Sequence, residues 1–103
     1  GEEQIRNQTS PFTSEGAGHC SEPPAYSSGP WDLAGQSAGF AWEGSTRYQG
    51  WVDDAASLCW HNAVNTTFVS VWDDAGFQCY NTTTCTPINQ GRMHSYSVPA
   101  GFQ

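Results

Sequence analysis

The strongest restriction on the fold of this chain comes from four cysteines, at positions 20, 59, 79 and 85. An even number of cysteines in a short chain is typical of a disulfide framework, and four cysteines allow three pairings. A metal site would favour closely spaced pairs such as C-x-x-C, which the sequence lacks. His19 stands beside Cys20, but adjacent side chains diverge too far to hold one ion together. We therefore predict two disulfides, no metal and no other cofactor.

The apolar residues also indicate a small, cross-linked domain. Only 14 of the 103 residues are Leu, Ile, Val or Phe, but five Trp and four Tyr add large apolar side chains. A large aromatic side chain buries about 150–250 Å², so a few of them can replace many aliphatic residues in a core. Disulfides commonly add the remaining stability in small domains.

The charge balance restricts the partners and the compartment. The formal net charge is -7, and three arginines are the only Lys or Arg residues. Without a basic patch we expect no nucleic-acid partner. No apolar run approaches the roughly 18 residues of a membrane span, so we expect no membrane insertion. The first residue is Gly1 rather than Met, as expected of a secreted chain after signal-peptide removal. We predict an extracellular protein, either secreted or at the cell surface.

Three N-x-T sequons support an extracellular glycoprotein. They begin at Asn7, Asn65 and Asn81, in a chain that has five asparagines. The alternative is that these threonines serve the local chemistry of Thr-rich loops. If the sequons carry covalent N-glycans, Asn65 and Asn81 must be exposed at the ends of structural elements.

The chain divides into two regions by composition. Residues 1–38 are rich in Ser, Thr, Gly, Pro and Glu, which predicts an extended or irregular N-terminal arm. Such a polar arm stays ordered only when its own domain, a bridge through Cys20 or a neighbouring subunit holds it. Residues 39–103 are predicted to form the folded domain.

The first part of that domain reads as two short strands followed by one helix. Gly39–Glu43 and Arg47–Trp51 are predicted strands around a turn at Gly44-Ser45. Asp53 is a plausible N-cap, and apolar residues then recur at helical spacing. We predict a helix over about residues 54–63.

The second part reads as a short antiparallel sheet. Phe68–Trp72 is apolar on both faces apart from Ser70, which predicts a central strand. Asp73–Gly76 is predicted to turn the chain, and Phe77–Tyr80 to return as the hairpin partner. After a loop over residues 82–87, Met93–Val98 is the last predicted strand. The predicted class is α+β, with this sheet packed on one helix.

Residues 48–98 resemble the PAN/apple family. Members carry a short helix with a Cys-x-x-x-Cys pair, a strand with a Phe a few residues on, and a hairpin that returns through a Cys. Cys59, Phe68 and Cys79-Tyr80 occupy these positions here. The resemblance implies a Cys59–Cys79 bond between helix and sheet.

The chain departs from the family in its second disulfide. The second helix cysteine would be residue 63, which is Ala63, and its partner would fall near Asn65 or Thr66. The loss of both cysteines leaves Cys20 to bond with Cys85, which would tie the arm to the domain.

No residue pattern points to catalysis. His19, His61 and His94 are the only groups that titrate near neutral pH, and no nucleophile elbow of the G-x-S-x-G type occurs. A helix start and a hairpin turn account for Asp53-Asp54 and Asp73-Asp74, which supply too few oxygen ligands for calcium. We predict a protein that is not an enzyme, with His61 on its surface.

The five tryptophans divide by their neighbours in the sequence. Trp51, Trp60 and Trp72 lie in or beside predicted elements and are expected in the core. Trp31 and Trp42 lie in or next to the irregular region, so they are the candidates for binding or assembly contacts.

Two non-catalytic functions fit these features. In the first, the chain is a structural subunit that self-assembles into an extracellular filament, sheath or coat, with the arm bridging copies of itself. In the second, it is a PAN/apple-like recognition module that binds glycans or a protein partner. The sequence favours the first narrowly, on the expectation that a neighbour holds the arm.

Overall fold

The computed structural model describes residues 12–29, 33, 41, 45–62, 65–88 and 91–99. Within them, one helix packs on a five-stranded antiparallel sheet, and two disulfides join the elements. The α+β class predicted from the sequence is confirmed. The helix is α1 (Thr46–Asn62), and the strands are β1 (Thr13–Ala17), β2 (His19–Cys20), β3 (Tyr26–Ser27), β4 (Phe68–Trp72), β5 (Phe77–Tyr80), β6 (Pro87–Ile88) and β7 (Met93–Ser97).

The main sheet has the strand order β1-β7-β4-β5-β3, and each neighbouring pair is antiparallel. Strand β4 lies in the middle, as its apolar sequence predicts. It forms a hairpin with β5 through the turn at residues 73–76, with Phe68 opposite Tyr80. The predicted central strand and its return are confirmed, and β7 ends one residue before the predicted end of the last strand.

Helix α1 begins well before the predicted start near residue 54. Ser45 is its N-cap, because the Ser45 hydroxyl accepts a hydrogen bond of 3.1 Å from the backbone N–H of Tyr48. The prediction of a strand at Arg47–Trp51 is therefore wrong, and Asp53 lies inside the helix rather than at its N-cap. The buried residues of α1 recur at helical spacing from its first turn onward, and they are Tyr48, Trp51, Val52, Ala55, Ala56 and Cys59.

The predicted irregular arm contributes three strands within its described part, residues 12–29. Strand β1 pairs with β7 and β3 pairs with β5, so these strands form the two edges of the main sheet. Thr13, Ser14 and Glu15 are all exposed, which removes the alternation by which a strand is recognised in a sequence. Strands from both sides of residue 38 thus share one sheet. Of the strand predicted at residues 39–43, only Ala41 lies within the described residues.

The core lies between α1 and the main sheet. Cys59 of the helix bonds to Cys79 of β5, and neither side chain is exposed. The Tyr48 hydroxyl donates a hydrogen bond to the carbonyl oxygen of Val71, which ties the first turn of α1 to the central strand. The sheet residues of this core are Val69, Val71, Phe77, Cys79 and Tyr96.

A two-stranded ribbon of β2 and β6 contacts the main sheet next to β4 and β7. Cys20 of β2 bonds to Cys85, the second of the two disulfides predicted from the sequence. Beneath the ribbon, the Ser95 hydroxyl donates to the carbonyl oxygen of Gly18 at 2.6 Å, and the Ser70 and Ser95 hydroxyls lie 2.7 Å apart. Both serines are fully buried. They alternate along their strands with the residues that face α1, so the ribbon covers the opposite face.

Candidate functional site

The turn between β4 and β5 is held in one conformation by its own hydrogen bonds. The Trp72 N–H donates to the Gly76 carbonyl at 2.8 Å, and the Ala75 N–H donates to the Trp72 carbonyl at 3.2 Å. Asp74 Oδ1 accepts from the Gly76 N–H at 3.3 Å, the bond by which an Asp side chain stabilises a turn. Ala75 adopts a left-handed conformation with φ of 70°.

A shallow cavity of about 110 Å³ opens beside this turn. We call it the turn-end cavity, and it is lined by Ser28, Trp72, Asp74 and Gly76. The Trp72 ring is half-buried, on the β4 face opposite the helix. A side chain at position 76 would approach the Trp72 ring within 3.3 Å and the Gly29 carbonyl oxygen within 3.2 Å. Glycine at this position therefore leaves the floor of the cavity open.

Arg92 contacts the two turn aspartates unequally, because it lies closer to one carboxylate than to the other. Its Nε donates to both carboxylate oxygens of Asp73, at 2.9 and 3.2 Å. The nearest contact of the guanidinium with Asp74 is 4.0 Å. Asp73 is therefore the main partner of Arg92, and Asp74 is the carboxylate that faces the cavity. Exposed ion pairs of this kind contribute little stability, about 0–1 kcal/mol.

The tryptophans are placed differently from the sequence prediction. Trp51 is buried as predicted, but Trp60 is 37% exposed because it lies outside the core-facing stripe of α1. Trp72 was also expected in the core, but it is half-buried and lines the cavity. Its position at the end of β4, directly before an acidic turn, is the only sequence signal that could have indicated this. Trp31 and Trp42, the predicted contact residues, lie outside the described residues.

The histidines lie on three different elements. His19 Nδ1 is 2.9 Å from the Cys20 carbonyl oxygen on β2, His61 is exposed in the last turn of α1, and His94 on β7 meets the Tyr48 ring edge-on. Within the described residues, no three His, Cys, Asp or Glu side chains come together as a metal-binding group. Nor is any described helix long and apolar enough to cross a membrane.

Asp54 lies on the helix, where its environment disfavours its charge. Partial burial raises the pKa of Asp54, and the neighbouring Asp53 carboxylate raises it further. The sequence predicts Asp53 and Asp54 at the start of the helix. This prediction is wrong, because α1 begins at Thr46.

The sequon asparagines occupy the other end of the β4–β5 hairpin. Asn65 and Asn81 are both exposed, as expected of residues at the ends of elements, and Asn65 has a left-handed φ of 67°. Asn7 lies outside the described residues. That these asparagines carry glycans stays a prediction.

Comparison with known proteins adds no relative, since no family model, curated protein or solved structure matches the chain. The turn-end cavity offers an aromatic ring and a carboxylate within one concave surface, beside Ser28, whose hydroxyl is bonded to the Phe77 backbone at 3.1 and 3.3 Å. Such a set can bind a ligand without covalent chemistry, by ring contact and hydrogen bonds.

Proposed function

We propose that this chain is a non-catalytic extracellular recognition domain that binds a glycan through the turn-end cavity. The observation that carries the proposal is the Trp72 ring beside Asp74 and Ser28 in one cavity. A sugar ring has a C–H face suited to an aromatic ring and hydroxyl groups that donate to a carboxylate. The cavity volume of about 110 Å³ suits one sugar ring or one side chain. Pockets for larger molecules are about 300–1,000 Å³.

We also propose that the domain is a degenerate member of the PAN/apple class. The bond from Cys59 in the helix to Cys79 in the returning strand supports this assignment, as does Phe68 at the start of the central strand. The absence of cysteine at position 63 is the departure from that class.

Two disulfides in one small domain support an extracellular location. Disulfides form and persist in oxidising compartments, and they are rare where thiols are kept reduced. All four cysteines are paired. A secreted or cell-surface glycoprotein is consistent with this chemistry.

A structural subunit that self-assembles is the second candidate, favoured by four large hydrophobic residues that are more than a third exposed. Contact between copies would cover Tyr26, Leu58, Trp60 and Ile88. Over residues 12–29, however, the arm is bonded to its own sheet and to Cys85. This arrangement weakens the sequence-based expectation that a neighbouring copy holds the arm.

Binding to a panel of neutral and charged oligosaccharides tests the primary proposal. We expect the chain to bind a subset of the panel, and Trp72→Ala to weaken that binding at least tenfold. Trp60→Ala is the matched control, because Trp60 is also partly exposed but does not line the cavity. Its binding should be unchanged.

Electron microscopy of the native material separates the two candidates. Dispersed particles that bind an oligosaccharide through Trp72 would support the recognition domain. Regular filaments together with no binding to any oligosaccharide of the panel would refute it in favour of the structural subunit.

A further inference from the structure

The second and third sequons meet at the end of the β4–β5 hairpin that lies away from the turn. Asn81 directly follows Tyr80, the last residue of β5, and Tyr80 pairs with Phe68 at the start of β4. We call this the open end of the hairpin. The Thr67 N–H donates to the Tyr80 carbonyl at 2.8 Å, and the Thr67 hydroxyl donates to the carbonyl of Thr82. The last residue of one sequon is thus bonded to the middle residue of the other.

This pairing places the two asparagines close together. Paired residues of antiparallel strands have Cα atoms about 5 Å apart. Thr67 and Asn81 are the next positions outward from the pair Phe68 and Tyr80, and the two Cα–Cα steps from Asn65 to Thr67 add at most about 7 Å. Asn65 and Asn81 therefore lie within about 12 Å of each other, and both are exposed.

We propose that Asn65 and Asn81 form a paired N-glycosylation site at the open end, an inference that rests on the proposed extracellular location. In the transfer, a bond forms between the asparagine Nδ2 and C1 of the first sugar. The bond from C1 to a lipid-linked pyrophosphate donor breaks, the pyrophosphate leaves with the lipid, and the amide loses one proton. No oxidant or reductant is required.

The consequence is a molecule with one covered end and one bare end. Gly76 and Asn81 are five residue steps apart along β5, which is about 17 Å of strand. N-glycans are bulky and hydrophilic, so two of them cover the open end and exclude partners there. The turn-end cavity remains uncovered at the other end of the same hairpin.

The paired site is tested by intact-mass spectrometry of the full chain. The chain carries Asn7→Gln, which removes the first sequon, and is secreted from a eukaryotic cell line. We expect two glycans on each molecule, and peptide mapping after enzymatic deglycosylation should locate them at Asn65 and Asn81. Thr83→Ala destroys the third sequon and should leave one glycan. Thr82→Ala is the matched control, because it changes the middle residue of that sequon and should leave two.

A secreted, disulfide-bonded chain with one glycan or none would overturn the proposal. Oligosaccharide binding, measured on the same material, keeps this outcome separate from the proposed function. Two glycans without binding would refute glycan recognition and leave the paired site standing. Oligosaccharide binding by a chain that carries no glycan at either asparagine would refute the paired site and leave glycan recognition standing. Enzymatic removal of both glycans should change the affinity less than twofold, because the cavity lies at the other end.

Discussion

The buried hydroxyls of Ser70 and Ser95 allow a sharp test of how the ribbon is attached to the sheet. Ser95 has one hydroxyl hydrogen, and the Gly18 carbonyl oxygen can only accept. The bond of 2.6 Å between them therefore uses the Ser95 hydrogen, so Ser70 must be the donor in its 2.7 Å contact with Ser95. The hydrogen bonds run in one direction, from Ser70 to Ser95 to Gly18.

This direction predicts unequal effects of removing each hydroxyl. Ser95→Ala deletes both bonds and leaves the buried Gly18 carbonyl without this partner, so it should destabilise the fold by about 2–3 kcal/mol. Ser70→Ala deletes the donor of the first bond and the contact of the Ser70 hydroxyl with Tyr80, and should cost about 1 kcal/mol. Once Ser95 is replaced, the Ser70 hydroxyl has lost its acceptor there. The double variant should therefore lose less stability than the sum of the two single variants, because both single variants delete the same Ser70–Ser95 bond.

Urea unfolding with the disulfides intact measures these differences. A loss of about 2–3 kcal/mol lowers the midpoint by about 2–3 M if the slope is about 1 kcal/mol/M. Ser97→Ala is the control on the same strand, because the Ser97 hydroxyl makes only an exposed contact of 3.4 Å with the Thr13 carbonyl. Its effect should stay below about 0.5 kcal/mol. The reasoning is refuted if Ser95→Ala is no worse than Ser97→Ala, or if the double variant shows the sum of the single effects.

Three further predictions concern two glycines of the backbone and the pH dependence. Gly50→Ala should stabilise the fold by about 0.5–1 kcal/mol in thermal unfolding, because Gly50 is inside α1 with no atom within 4 Å of an added Cβ. Gly18→Ala should prevent folding, since its Cβ would lie 2.3 Å from the Ile88 carbonyl oxygen at a φ of 110°. Because the pKa of Asp54 is raised in the fold, the protonated form of this side chain is favoured there. Its contribution to the free energy of unfolding is therefore fully present below the ordinary Asp pKa and is lost as pH rises through the raised pKa. Asp54→Asn should therefore raise the unfolding midpoint at neutral pH but not at a pH below the ordinary Asp value, and an equal effect at both would contradict this assignment.

The sequence predicted best where a local pattern decides the structure. The apolar run of β4, the acidic turn and the return through Phe77 each carry their own signal, and all three are present. The start of α1 was missed because Tyr48 and Trp51 are strand-forming residues and Gly50 between them reads as a break. Their packing against the sheet outweighs this local preference, as tertiary contacts often do.

The remaining features depend on partners that are distant in the sequence. Strand β1 forms because β7 offers it hydrogen bonds, although its own exposed residues show no pattern. The cavity is equally non-local. The β4–β5 turn brings Gly76 to the Trp72 ring, where an added Cβ would lie 3.3 Å from it, and the Gly29 carbonyl oxygen beyond the end of β3 lies 3.2 Å from the same position. Neither glycine can be recognised as part of a site from the sequence.

The hydrogen bonds that hold the turn bear on the proposed binding of a ligand in so small a cavity. The Leu33 N–H donates to the Ala75 carbonyl at 3.1 Å, and the Ala41 N–H donates to the Asp73 carbonyl at 3.0 Å. Residues outside the hairpin thus hold the turn at Asp73 and Ala75. The disulfide of Cys79 anchors β5, the strand that follows the turn. A ligand does not need to order a loop before it contacts Trp72, so little of its binding free energy is lost to conformational entropy. A rigid site of about 110 Å³ is consistent with selective recognition of one terminal sugar ring.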